Sequence, residues 1–286
     1  MYPQDKIEFF TRRSLNQSME AAFDFVRQNR AAWLKASLLY LLPYAVVVAL
    51  VLLPNKKMDG YEHITEIVFR AFRYGGDVIY LLPGIFLASL FSVSLLRKYL
   101  EQDADSLSWR KIVTMAFPPF VKVLLATTLL CAVIWMVATF VNTSAYRIML
   151  LVVFMPPLCF VLPSLTLGGN GIFNGVEKAV RYGFKYWFKL AGTLLFMMSI
   201  AFMVGLSFQL PCTLLAFLSE FLGLLGESFK VGFWDILCVV DMASVIYAFL
   251  MGCSFVVLAV SFLYGSADEE NADRTLSDDI DNFENL

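Results

Sequence analysis

The chain has 286 residues, of which 59% are hydrophobic and 16% charged, with a mean hydropathy of +0.70. Soluble domains run at about 45–50% apolar and about 25% charged, so this composition belongs to a membrane protein. The balance of 22 basic against 24 acidic residues, with one histidine, excludes intrinsic disorder, a strongly basic nucleic-acid-binding domain and a His-rich metal centre.

Residues 1–35 form a basic, amphipathic opening segment. It has no short apolar core followed by a cleavage site, so no cleavable signal peptide is expected there. A spanning helix needs about 20 mostly apolar residues. Six runs satisfy this in chain order: 36–53, 78–96, 123–141, 148–167, 190–210 and 236–264. The last is longer than a perpendicular crossing requires, so it must tilt or begin in the headgroup layer. Residues 265–286 make an acidic tail. With the N-terminus inside, sixteen lysines and arginines fall in inner segments and six in outer ones. The excess of basic residues on one side predicts that both termini are cytoplasmic. The expected architecture is therefore all-α: six spans as three helical hairpins, each preceded by an amphipathic segment on the cytoplasmic side.

Three blocks align without gaps on a lysine before the odd-numbered spans. They are EAAFDFVRQNRAAWLK (20–35), LSWRKIVTMAFPPFVK (107–122) and NGVEKAVRYGFKYWFK (174–189). The aromatic–lysine pairs Trp33 and Lys35, Phe120 and Lys122, and Trp187 and Lys189 coincide. Such pairs suit a membrane interface, the ring at headgroup level and the lysine reaching for phosphates. Either an internal duplication or the shared chemistry of any membrane interface accounts for the match.

Residues that could carry chemistry are few. His63 stands alone in an outer loop, and no nucleophile–base pair or metal-ligand set is evident, so no cofactor is expected. The GGNG run at 168–171 lacks the ending of a phosphate loop and follows a span, so it reads as a turn. The five cysteines lie in or beside spans and show no C-x-x-C pairing, which argues against a disulfide framework or a zinc site. Asp241 is the acidic residue in the apolar run ILCVVDMASVIYAFL. An ionisable residue in a span points to function. Counting about 20 residues back from Tyr264, however, places Asp241 in the outer interface. Pro83, Pro156, Pro157 and Pro163 are expected to kink their helices, either structurally or to open a site as in transporters. The segment 211–225 is too short to span and too apolar for water. It is re-entrant, interfacial or a continuation of the fifth span.

The tail carries eight acidic residues and one arginine, leaving the rest of the chain at +5. Leu276, Ile280, Phe283 and Leu286 recur at helical spacing, with Ser277 placed as an N-terminal cap. A short docking helix is expected, packing on the chain's own basic face or on a protein partner.

The opening FFTRRSLNQSMEAAFDFVRQNRAAWLKASLLYLLP and the ending LAVSFLYGSADEENADRTLSDDIDNFENL resemble a family of polytopic inner-membrane proteins of Bacteroidota. The resemblance implies a basic N-terminal helix, about six spans and a charged tail. Some members carry the label of a carotene-cleaving monooxygenase. That class holds iron with four histidines, and this chain has one. The hairpin arrangement is also loosely similar to the membrane domain of some glycerophosphodiesterases, without their catalytic domain. The expectation is a non-enzymatic scaffold or regulatory partner in a bacterial inner membrane. It would contact the bilayer, its anionic headgroups on the cytoplasmic side, and a protein partner through the tail, but no nucleic acid. The alternative is a transporter or lipid-handling protein for an apolar or amphipathic substrate.

Overall fold

The computed structural model describes residues 7–52, 82–101, 114, 116–140, 144–169, 171–221 and 227–284. Among these the secondary structure is helical throughout. The helices are α1 (Leu15–Gln28), α2 (Arg30–Tyr40), α3 (Leu42–Leu52), α4 (Leu82–Glu101) and α5 (Phe120–Phe140). They continue with α6 (Ser144–Cys159), α7 (Val161–Thr166), α8 (Ile172–Lys185), α9 (Trp187–Phe221) and α10 (Glu227–Glu284). Five stretches are long and apolar enough to cross a membrane: Arg30–Val51, Phe120–Val137, Met149–Thr166, Trp187–Phe208 and Val239–Asn271. They fall on five of the six expected runs. The expected span 78–96 begins outside the described residues, as does His63.

Local chemistry explains the helix ends. Ser14 closes a capping box on α1: its Oγ accepts from the Gln17 amide, and its own amide donates to Gln17 Oε1 at 2.9 Å. Ser14→Ala is expected to cost about 1 kcal/mol, read as lower thermal stability and faster proteolysis before residue 28. Pro43 has no amide proton to donate to Leu39, and the first span is interrupted beside it, at Leu41. Pro156 and Pro157 lie in the last turn of α6, which stops at Cys159. Pro163 sits within the short α7, and Pro83 is the second residue of α4 as described. The 211–225 segment continues the fifth span as far as Phe221, with Pro211 inside the helix.

The C-terminal end corrects an expectation. No cap or break occurs at Ser277, because α10 is continuous from Glu227 to Glu284. The run Val239–Asn271 alone is roughly 50 Å long at the usual rise per residue, against about 30 Å of hydrocarbon. The helix is therefore longer than one perpendicular crossing requires.

The chain divides into two compact units. One contains residues 1–33, 92–197 and 255–286; the other contains 34–91 and 198–254. The first unit has a core of Ala126, Phe160, Leu165, Ala179, Tyr186, Leu190 and Tyr264, with Val260 and Leu263. The second is held by close helix approaches. A Cβ at Gly252 would fall 2.2 Å from that of Ala201, and one at Gly84 would strike Tyr44 and Leu250. Small residues at such crossings let backbones meet where no hydrophobic drive operates between helices. Ser37 and Tyr247 also share a buried hydrogen bond of 2.9 Å in this unit.

Candidate functional site

The first unit brings together the acidic end of α10 and the basic helix α8. On α8, Gly175, Ala179 and Gly183 stand at i, i+4 and i+8 and are all buried. This narrow face packs on the prolines of α6 and on α7: the place of a Cβ at Gly183 lies 2.4 Å from Pro157 Cα. Ser164 on α7 donates to the Gly175 carbonyl at 2.8 Å and accepts from the Tyr264 hydroxyl at 3.3 Å. Tyr264 on α10 is thereby tied to α8 through one serine.

One turn further along α10 the charges meet. Lys178 Nζ is 2.6 Å from Asp268 Oδ1, with the two side chains 28% and 18% exposed. Tyr182 donates to the same oxygen at 3.3 Å, and Lys178 lies over the Tyr182 ring at 5.5 Å. Burial raises the Tyr182 phenol above its usual range, and the Asp268 carboxylate adds to this. The phenol therefore remains a neutral donor well above neutral pH. Beyond it, Lys185 donates to Asn271, whose amide reaches the Tyr186 hydroxyl at 3.3 Å. Lys185 and Lys189 flank the Tyr186 ring at 5.4 and 5.2 Å, and Lys189 approaches Glu270 at 3.9 Å. The result is a clasp of alternating cations and aromatics closed over an acidic helix end.

A second seat forms where the N-terminal segment meets the same stretch of α10. The Arg13 amide donates to Ser266 Oγ at 2.7 Å, and that hydroxyl donates back to the Arg13 carbonyl at 3.2 Å. Phe9 and Phe25 pack on Phe262, and the Tyr99 hydroxyl joins Ile7 to Gln28. Burial lowers the Arg13 guanidinium from its usual range.

Helices α1 and α8 have the same length and end alike, at Asn29 (φ −105°, ψ 21°) and Tyr186 (φ −106°, ψ 23°). Each is followed at once by a spanning helix. Superposing the two helices pairs Ser18 with Gly175, Ala22 with Ala179 and Phe25 with Tyr182. That register is shifted by three residues from the alignment on lysines. The aligned aromatics consequently do different things. Trp33 is buried against Phe255, Phe120 is exposed, and Trp187 donates to the Val153 carbonyl at 3.1 Å. Lys35 is exposed, while Lys122 and Lys189 are part-covered. Most of the middle block lies outside the described residues.

Asp241 is 5% exposed, so protein surrounds it. In the tail, the clasp is made by Asp268, Glu270 and Asn271, upstream of the anticipated residues. Leu276, Ile280 and Phe283 lie on the continuing helix, and Leu286 is outside the described residues. The signal for the clasp was present as the charge asymmetry between tail and remainder. Among the described residues, no three His, Cys, Asp or Glu side chains converge as metal ligands would. No family model matches the chain, and no curated protein or solved structure was found to match it.

Proposed function

We propose that the chain is a non-enzymatic scaffold or regulatory subunit of a bacterial inner membrane. In this reading it crosses six times, with both termini cytoplasmic, and presents the end of α10 to a protein partner. The supporting observation is the clasp itself. It fixes Asp268, Glu270 and Asn271 against α8, and the helix then runs on to Glu284. A helix clamped at its base is presented in one direction, which lowers the ordering cost of binding. Leu276, Ile280 and Phe283 recur on it at i, i+4 and i+7, the spacing of an apolar stripe that lies in a partner's groove.

The test is affinity purification from native membranes of the full chain beside a version ending at Asn271, which keeps the clasp. A stoichiometric protein retained by the first and lost from the second is expected. An identical set of proteins with both would sink the proposal. One specific lipid held by both, with no protein, would move the assignment to the lipid-handling alternative, for which buried Asp241 is the residue to examine first.

A further inference from the structure

Helix α8 has a third face that neither the core nor the clasp uses. Phe173 is 89% exposed and Phe188, in the first turn of α9, is 86% exposed. Phe184 is also exposed, in the last turn of α8. At 100° per residue Phe173, Val180 and Phe184 share one stripe, about 60° or more from the buried Gly175–Ala179–Gly183 line. Glu177 and then Arg181 border that stripe on its polar side, and both are exposed. The helix thus has a packed face, an apolar open face and a charged edge, Glu177 and Arg181, between the apolar face and water. That combination is the composition of a helix lying in a bilayer surface.

We propose that α8 is such a helix. Phe173, Phe184 and Phe188 insert among the acyl chains of one leaflet, while Arg181 meets the phosphates of anionic phospholipids.

Chain connectivity favours the bilayer over a second copy or a soluble partner. Tyr186 alone separates α8 from α9, whose stretch Trp187–Phe208 is apolar enough to cross. The last turn of α8 is therefore held at the boundary of the hydrocarbon whatever else binds the protein. Phe184 and Phe188 flank that one-residue break, so a soluble partner covering both would have to reach into the leaflet. On helix α1 the exposed positions are mostly polar, Asn16, Gln17, Glu20 and Arg27, and the exposed aromatic, Phe23, is 38% exposed and packs on Phe255. The membrane seat stands whether or not the end of α10 recruits a partner.

Benzoyl-phenylalanine placed at 173, 184 or 174 in the full-length protein tests this. Asn174 is exposed and adjacent in sequence to Phe173, but lies on the polar side. The protein is reconstituted into vesicles of phosphatidylcholine mixed in equal parts with phosphatidylglycerol, illuminated, and its adducts identified by mass spectrometry. Lipid adducts are expected at 173 and 184 and only background at 174. Phosphatidylglycerol should exceed its share of the adducts, and the excess should vanish in R181Q. Protein–protein adducts at 173, or labelling at 173 no higher than at 174, would overturn the membrane seat. Labelling of both lipids in proportion to their abundance would overturn the headgroup assignment.

Discussion

Gly183→Ala is expected to be the most damaging small substitution in the first unit. The new methyl carbon would lie 2.4 Å from Pro157 Cα and 2.8 Å from its Cβ. Neither atom can rotate away: one is backbone, the other is held in a ring at the end of α6. Helix α8 must therefore slide or tilt, which pulls Lys178 and Tyr182 from Asp268. Overpacking of this kind costs about 1–3 kcal/mol, and here it adds the loss of the clasp. Gly175→Ala should be milder, because its nearest obstacle is a leucine terminus, Leu165 Cδ2 at 2.8 Å, which can turn. Gly205→Ala meets nothing within 4 Å and lies inside α9. It should be neutral or stabilising by up to about 1 kcal/mol, as alanine is favoured over glycine in a helix. Thermal unfolding of the three purified variants in detergent should rank them in that order. Equal behaviour of Gly183→Ala and Gly175→Ala would show that the α6–α8 approach is not tight.

Hydropathy alone located five of the stretches now seen as membrane-length helices, because burying twenty apolar residues in a row leaves few soluble alternatives. Lateral packing was less legible. The Gly175–Ala179–Gly183 line is three small residues in a basic amphipathic stretch. Only the position of Pro157, which the sequence does not encode locally, makes them a contact face. The alignment on lysines follows interface chemistry, whereas pairing α1 with α8 by their breaks at Asn29 and Tyr186 gives a register three residues away. The acidity of the tail pointed to the chain's own basic surface as one docking place, and Asp268, Glu270 and Asn271 meet α8 upstream of the apolar spacing after Ser277. Asp241 was assigned to an interface by counting residues, and a count cannot say that protein closes around the carboxylate.

Removing Lys178 should weaken the clasp more than removing Asp268. In Lys178→Ala the carboxylate stays where it is, on a short side chain of a rigid helix, 18% exposed and retaining Tyr182 as its donor. In Asp268→Ala the lysine keeps the Tyr182 ring beneath it at 5.5 Å and can carry its ammonium outward on a flexible stem. A charge left without its counter-ion in a part-buried site costs about 1–3 kcal/mol, so Lys178→Ala should fall at the upper end and Asp268→Ala at the lower. The half-exposed pair Arg97–Glu101, of similar length at 2.7 Å, is the comparison. Its loss should cost at most about 1 kcal/mol and should shrink with added salt, whereas the Lys178–Asp268 coupling should persist. A double-mutant cycle measured by denaturant unfolding in detergent reads that coupling directly, and a value near zero would dismiss the clasp as a stabilising contact. Alkaline pH supplies a second reading. The folded chain holds the Tyr182 proton more tightly than the unfolded chain does, so its contribution is complete below the free tyrosine value of about 10 and declines as pH rises above it. Asp268→Asn removes one of the groups that raise Tyr182, so the decline should flatten in that variant. An unchanged slope would mean that burial alone holds the proton and that the carboxylate adds nothing.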